Sequence, residues 1–228
     1  MRISVYMSRL QSILGLVLIG LHLLILPLLL AWINLFLPHP LTLGQLNIAV
    51  FIGVYILTLL IFGRFLWKNL QNARRNLIKC LLTTLAGLGI YFAGSLAVSF
   101  LIEYLNPDFI NVNDDALRTI AQENYVWLWI CTVLLVPVSE ECMYRGVLLQ
   151  WVYRRNRILG YVVSILLFAA IHVVGYIGTA DALTLMLCFV QYIPAGFALT
   201  WAYEAADSIW APILIHMIIN GIGMFAMR

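Results

Sequence analysis

The chain has 228 residues, of which 64% are hydrophobic and only 10% are charged, whereas soluble domains average about 45–50% apolar and about 25% charged residues. This composition excludes a water-soluble domain and indicates an integral membrane protein. The net charge of +3 does not indicate nucleic-acid binding, because the basic residues lie almost wholly beside apolar runs, where topology and anionic lipid account for them.

Seven apolar runs follow one another along the chain. A spanning helix needs about 20 mostly apolar residues, because the hydrocarbon core is about 30 Å thick and each helical residue rises about 1.5 Å. The runs cover residues 13–37, 47–67, 80–102, 125–153, 158–177, 182–203 and 209–227. We therefore expect an all-α integral membrane protein, a single domain over residues 1–228, folded as a bundle of about seven transmembrane helices.

Basic and acidic segments alternate between these runs. The basic segments contain Arg2 and Arg9, then Arg64, Lys68, Arg74, Arg75 and Lys79, then Arg154, Arg155 and Arg157. Residues 103–124, by contrast, carry five acidic residues and only one basic residue, Arg118. Because short cytoplasmic loops collect Lys and Arg, we expect seven crossings with a cytoplasmic N-terminus. The sixth loop fits this orientation less well, since it should be cytoplasmic but has no Lys or Arg and carries only Glu204 and Asp207 as charged residues. The compact size and the absence of internal-membrane retention signals favour a bacterial plasma membrane.

Three ionisable side chains interrupt the fourth run, namely Glu140, Glu141 and Arg145. Each costs about 2.5–3.5 kcal/mol on insertion scales, and such residues usually mark a functional site. Glu141 and Arg145 are four positions apart and can pair on one helix face, either as a structural clamp or in support of a site. Glu140 points about 100° away and is left unpaired. We expect Pro137 to kink or break the helix and Ser139 to cap a new segment, whose positive end favours ionised Glu140 as a general base.

Polar side chains also lie inside later runs, at His172, His216 and Asn220. Singly, each can be satisfied by a neighbouring helix. Glu140 and His172 both lie about 21 Å from the expected cytoplasmic boundary, at about 1.5 Å per residue. His216 and Asn220 share a helix face and lie about 10 and 16 Å in. We therefore expect one polar intramembrane cavity, in the cytoplasm-connected half, that collects all four side chains.

These residues resemble the three signature motifs of the CAAX protease and bacteriocin-processing family, also called the Abi family. The motifs are Glu140-Glu141-x-x-x-Arg145 followed by Gly146, then Phe168-x-x-x-His172, then His216-x-x-x-Asn220 preceded by Ser208-Ile209-Trp210. The resemblance covers about residues 137–221, with one departure at Tyr144, where the family commonly has Phe. We accordingly divide the bundle into variable N-terminal helices, residues 1–124, and a catalytic core, residues 125–228.

The resemblance implies an intramembrane endopeptidase that cleaves a peptide or small membrane protein. The implied catalytic residues are Glu140, His172, His216 and Asn220, with Glu141 and Arg145 in supporting roles. Glu140, assisted by His172, activates a water molecule, and the other two catalytic residues donate hydrogen bonds to the developing oxyanion.

Other interpretations remain open at this point. Two His and one Glu are a common catalytic zinc set, but no HExxH motif is present, so we expect no metal cofactor and keep zinc as the alternative. The protein could instead be a non-catalytic bacteriocin-immunity or membrane signalling-partner protein that binds a peptide in the same cavity. A small transporter is disfavoured, because the sequence shows no inverted repeat.

Overall fold

The computed structural model describes residues 3–228. Within this range the chain forms seven long helices. They are α1 Arg9–Asn34, α2 Leu43–Arg75, α3 Leu77–Leu105, α4 Val112–Tyr153, α5 Arg157–Val174, α6 Ala182–Ala206 and α7 Trp210–Ala226. The first six are long and apolar enough to cross a membrane, and α7 is a shorter apolar helix. The prediction of an all-α multi-pass membrane protein is confirmed, and Arg2 lies outside the described residues.

Polar side chains determine where several of these helices begin. Ser8 precedes α1 and Thr42 precedes α2, and each forms a capping box with a glutamine at the third helical position. Asp181 precedes α6 and accepts a hydrogen bond from a backbone N–H of its first turn. The first N–H groups of a helix lack partners within the helix, and near a bilayer they have little water to replace them. The caps therefore fix the boundaries that hydropathy alone left uncertain.

Helix α4 is the central and the least regular element. Of its most apolar window, 61% is buried inside the protein, compared with at most 39% for the other spans. Asn124 has non-helical dihedral angles, φ −134° and ψ 33°, and marks a kink between an amphipathic start and the buried remainder. Two π-helical stretches, Ile130–Leu135 and Cys142–Leu149, flank the short α-helical segment Val136–Glu141. Such bulges are frequent at functional sites.

The expected cap at Ser139 is wrong, and of the two alternatives at Pro137, a kink or a break, the break is wrong. The helix runs on through Pro137, and the Ser139 hydroxyl donates to the backbone carbonyl of Leu135, 3.3 Å away. The wide turn just before Pro137 rearranges the hydrogen bonds at the place where the proline lacks an N–H, so the helix continues. Glu140 consequently does not lie at the positive end of a new helix.

One end of the bundle gathers the N-terminal segment and the connections α2–α3, α4–α5 and α6–α7. Asn72 donates to the Asp207 carbonyl at 2.5 Å, and the Ser4 N–H donates to the Asp207 carboxylate at 2.6 Å. Arg154 donates to the Met7 carbonyl at 3.3 Å. These contacts place the three connections on the same side as the N-terminus, as the charge alternation predicts. The side of the membrane on which this basic end lies stays a prediction.

The sixth loop also fits this arrangement. The Glu204 carboxylate accepts hydrogen bonds from Arg157, at 2.8 Å, and from the hydroxyls of Tyr153 and Tyr161. Asp207, in the left-handed conformation with φ 53°, is bonded to the N-terminal segment. The acidic residues of this loop thus have partners in the neighbouring segments, which explains how a loop without Lys or Arg lies at the basic end.

Candidate active site

Glu141 lies at the centre of the site. Its Oε1 atom accepts a hydrogen bond from Arg145 Nη1 at 3.0 Å and another from His216 Nδ1 at 2.9 Å. Glu141 and Arg145 are both fully buried, with 0% exposure. The predicted pairing of Glu141 with Arg145 is therefore confirmed. The bond to His216, which joins α4 to α7, was not predicted, because sequence spacing reveals pairs within one helix but not between helices.

Arg145 connects α4 to two further helices. Its Nη2 atom donates to the Gly196 carbonyl of α6 at 3.2 Å, and its guanidinium lies 4.4 Å from the ring centroid of Phe168 on α5. A buried guanidinium needs such partners, since an unpaired charge in hydrocarbon is costly. Arg145 thus acts as an interhelical clamp and also holds the carboxylate that bonds His216.

Glu140 differs from its neighbour because its carboxylate is largely unpaired. The residue is only 8% exposed, and its Oε2 atom lies 4.0 Å from His216 Nε2. Among residues 3–228 no group hydrogen-bonds this oxygen. Buried polar atoms nearly always have partners, so an exception requires an explanation. The free oxygen is placed to bind a molecule other than the protein itself, such as water.

The contact with Glu141 determines the protonation pattern of His216. Because a carboxylate only accepts hydrogen bonds, Nδ1 of His216 carries the proton of the bond to Glu141. The other ring nitrogen, Nε2, then faces Glu140. As a neutral ring His216 can only accept at Nε2, whereas a doubly protonated ring donates there.

Asn220 lies one helical turn beyond His216 and donates to the Thr132 carbonyl at 2.8 Å. That carbonyl is free because of the proline. The Val136 N–H, its usual partner, bonds Cys131 instead, and Pro137 has no N–H to offer. The irregular turn therefore exposes an acceptor that fixes Asn220 against α4. One amide hydrogen of Asn220 is engaged in this bond, and the second remains for another acceptor.

His172 lies near the far end of α5, two residues before its last residue, Val174. Its Nδ1 atom donates to the Phe168 carbonyl at 2.8 Å, and its ring stacks on that of Tyr192 with centroids 4.0 Å apart. The Phe168 ring lies between the two histidines, 4.9 Å from His172 and 5.7 Å from His216. The structure thus groups His172 with His216 around one aromatic ring, but His172 makes no hydrogen bond to Glu140.

The expected position of His172 in the half next to the basic loops is wrong. Helix α5 begins at the basic end with Arg157 and has only 18 residues, so His172 lies close to the opposite end. Its neighbour Tyr192 continues in that direction, since the Tyr192 hydroxyl accepts a hydrogen bond from Asn113 at the start of α4, at 3.0 Å. The count itself, about 21 Å from the basic boundary, already lies beyond the middle of a hydrocarbon core about 30 Å thick, so the error was to assign His172 to the half next to the basic loops.

A catalytic zinc ion would need about three suitably placed protein ligands. Within residues 3–228 no group of three or more His, Cys, Asp or Glu side chains is arranged as a metal-ligand set. Glu140 and His216 face each other at 4.0 Å, but Glu141, the nearest third candidate, is bonded to Arg145 and His216 through Oε1. The residues therefore fit a zinc ion poorly, and the expectation of a metal-free site stays a prediction.

Fold and site together define a multi-pass helical membrane protein with a buried acid–imidazole centre. More particularly, residues 122–222, which include all six predicted site residues, match the family described as "Type II CAAX prenyl endopeptidase Rce1-like". The resemblance that the three sequence motifs indicated is therefore confirmed: the C-terminal part of the chain is similar to CAAX-type membrane peptidases.

Individual relatives share about a quarter of their aligned residues with this chain. The chain is 26% identical over 135 residues to the "UPF0177 protein YbdI" of Lactococcus lactis, covering 55% of this chain and 64% of the relative. It is 24% identical over 180 residues to the "Putative membrane peptidase YdiL" of Bacillus subtilis, covering 78% of this chain and 69% of the relative. The chain thus spans about two thirds of the length of these relatives. No solved structure matches the chain.

Proposed function

We propose that the protein is an intramembrane endopeptidase that hydrolyses a peptide bond of a peptide or small membrane protein, using water activated by Glu140. The observation that carries the proposal is the free Oε2 atom of buried Glu140. It faces His216, which is bonded to Glu141. The family match over residues 122–222 supports a membrane peptidase independently of this geometry.

In the proposed mechanism Glu140 removes a proton from water, and the water oxygen forms a bond to the carbonyl carbon of the substrate. Nε2 of His172 can accept a second hydrogen bond from this water, because its Nδ1 is committed to the Phe168 carbonyl. The negative charge that develops on the carbonyl oxygen is stabilised by doubly protonated His216 and by the second amide hydrogen of Asn220. The C–N bond then breaks, and Glu140 returns the proton to the leaving nitrogen.

The decisive experiment compares the membrane and secreted peptides of cells that carry the intact protein with those of cells that carry Glu140→Gln. This change removes the base and nearly preserves the shape, so the cleavage products should disappear while the folded protein stays in the membrane. Glu204→Gln is the matched control, since it alters a second buried glutamate at the basic end. Cleavage that survives Glu140→Gln would refute the peptidase and favour the immunity or signalling-partner alternative.

We further propose that the reaction needs no metal. The support is that Glu140, His172, His216 and Asn220 supply a base and oxyanion donors without one. Purified protein should keep its activity after exhaustive chelation. Stoichiometric zinc, with activity restored only when metal is added back, would overturn this part of the proposal.

For the orientation we propose that the basic end faces the cytoplasm of a bacterial cell. Asp108 and Asn156 are exposed at opposite ends of the bundle, and the four native cysteines are buried. A thiol reagent that cannot cross the membrane should therefore label Asp108→Cys in intact cells and leave Asn156→Cys unlabelled until the cells are opened. The reverse labelling pattern would invert the topology.

A further inference from the structure

We propose that Tyr192 is a positioning residue for His172, and that the polar start of α4 holds Tyr192 in place. The inference concerns the geometry of one imidazole ring, and it rests on the proposed peptidase function for its kinetic consequence. Tyr192 belongs to none of the three sequence motifs, and the residues that hold it lie before the catalytic core that the sequence outlined.

The contact between the two rings is close and nearly parallel. The centroids of His172 and Tyr192 are 4.0 Å apart and the ring planes are inclined by only 21°. Within residues 3–228 His172 has a single hydrogen bond, from Nδ1 to the Phe168 carbonyl of its own helix. One such bond still allows the ring to tilt about the line that joins donor and acceptor. The stacked tyrosine removes this freedom and so fixes the direction of Nε2, the nitrogen that is to meet the attacking water.

Tyr192 is in turn anchored from outside its own helix. Its hydroxyl accepts a hydrogen bond from Asn113 Nδ2 at 3.0 Å. The preceding residue of α6, Gln191, accepts one from Asn111 Nδ2 at 2.7 Å. Asn111 is also the cap of α4, with its Oδ1 bonded to two backbone N–H groups of the first turn. The start of α4 is therefore hydrogen-bonded to two consecutive residues of α6. The second of these, Tyr192, stacks its ring on that of His172.

This arrangement connects the amphipathic start of α4 to the reaction centre. Asn113 also accepts a hydrogen bond from the Tyr176 hydroxyl, 3.4 Å away, in the short connection that follows α5. The α5–α6 connection and the start of α4 thus meet at Asn113, and the partner of Asn113, Tyr192, stacks on the His172 ring. The polar side chains here contact each other within a membrane protein, where such contacts rigidify the helices that carry them.

Three substitutions distinguish the contribution of the Tyr192–His172 ring stack from that of the hydrogen bond between Asn113 and Tyr192. Tyr192→Phe keeps the ring and removes only the hydroxyl, whereas Tyr192→Leu removes the stack. Tyr176→Phe is the matched control, because it takes a hydroxyl from the same cluster without touching the His172 ring. A misplaced catalytic group costs up to about 10²-fold in rate. We therefore expect Tyr192→Leu to lower kcat by about 10–10²-fold with KM nearly unchanged, and both Phe variants to stay within about threefold of the wild type.

A second measurement does not depend on peptidase activity. Diethylpyrocarbonate modifies accessible imidazoles, and mass spectrometry can locate the modified histidine in the folded, detergent-solubilised protein. His172 should react faster in Tyr192→Leu than in the wild type or in Tyr192→Phe, while the reaction of His216 stays the same. Asn113→Ala and Tyr192→Phe both remove the hydrogen bond between these residues and leave the ring in place, so each should raise the reactivity of His172 to a lesser degree than Tyr192→Leu. Asn113→Ala also provides a milder variant in case Tyr192→Leu folds poorly.

The two readouts separate the two hypotheses. Equal losses of kcat in the Phe and Leu variants, or unchanged His172 reactivity in Tyr192→Leu, would overturn the positioning role, since the ring stack would then not matter. If the wild-type protein cleaves no peptide but His172 becomes more reactive in Tyr192→Leu, the positioning role stands and the proposed function fails instead.

Discussion

Two buried glutamates of this bundle lie in contrasting surroundings. Glu204, at the basic end, is 2% exposed, and both of its carboxylate oxygens accept hydrogen bonds from Arg157 and from two tyrosines. Glu140, in the middle of the bundle, is 8% exposed, and its Oε2 atom has no partner among residues 3–228. Buried polar groups are normally satisfied. The satisfied carboxylate therefore holds helices together, and the unsatisfied one is available for chemistry.

The same contrast extends to the regions around these glutamates. At the basic end the extended N-terminal segment is bound through its backbone: Gln150 accepts from the Met7 N–H at 2.9 Å and donates to the Val5 carbonyl at 3.0 Å. Gly146 of the first motif lies against the Met7 side chain, whose terminal methyl group would have to shift if the position carried a Cβ. In the site, by contrast, Glu140 Oε2, Glu141 Oε2 and Arg145 Nε all lack partners within the described chain.

The largest effect on folding should come from Arg145→Ala. The change leaves Glu141 as an uncompensated buried charge, which costs about 3–5 kcal/mol, and it also releases the Gly196 carbonyl and the Phe168 ring. Membrane yield and thermal stability should both fall sharply. Arg157→Ala is the control at the other glutamate: Arg157 is 63% exposed and Glu204 keeps two tyrosine partners, so most of the folded protein should remain. Equal losses in the two variants would contradict the contrast between the two regions.

Asn220→Ala should reduce turnover by about 10²–10³-fold, the usual consequence of losing one oxyanion donor. The comparison is with Asn69, a fully buried asparagine at the basic end. Its Oδ1 accepts from the Ile209 N–H at 3.1 Å, so Asn69→Ala should lower the thermal stability but leave turnover per folded molecule unchanged. Turnover and melting temperature should be measured on both variants in detergent. If Asn220→Ala changes only the stability, Asn220 is not an oxyanion donor.

A smaller effect, on stability, is expected for Gln150→Leu. This variant directly tests the basic end, where the buried polar groups have hydrogen-bond partners. Gln150 is 2% exposed, and its removal strands the Met7 N–H and the Val5 carbonyl, each worth about 1–3 kcal/mol when buried without a partner. The melting temperature should fall while turnover per folded molecule is retained. Loss of turnover at unchanged stability would mean that the N-terminal segment belongs to the reaction centre.

These contrasts also indicate what the sequence could predict. The seven long helices followed from hydropathy, because a chain in lipid must satisfy its backbone within each helix. The contact of Glu141 with Arg145 followed from a spacing of four. The contact of Glu141 with His216 and the stack of Tyr192 on His172 join different helices, so no spacing could predict them. Gln150 and Gln191, two amides within apolar runs, were the available signals for the partners that the sequence analysis missed.

The cap expected at Ser139 failed for a related reason. Pro137 has no N–H, and local rules let such a residue end a helix. In the bundle the preceding turn widens instead, and the Thr132 carbonyl that it frees finds its donor in Asn220 on α7. A partner from a distant part of the sequence thus replaces the hydrogen bond that the proline cannot make, and no local pattern contains that partner.

The smallest expected effect is the change in stability when each glutamate is replaced by glutamine. It distinguishes Glu140 from Glu204 most directly, because the change should have opposite signs at the two sites. Glu140→Gln should raise the stability by about 1 kcal/mol, since the amide nearly keeps the shape of the side chain and removes an ionisable group whose Oε2 has no partner. Glu204→Gln should lower the stability, because a neutral amide cannot replace a carboxylate that accepts from Arg157 and two tyrosines. Thermal unfolding of the two variants in the same detergent measures both signs. If Glu140→Gln destabilises the protein as much as Glu204→Gln does, the Glu140 carboxylate has a structural partner after all, and its role as the base loses the observation on which it rests.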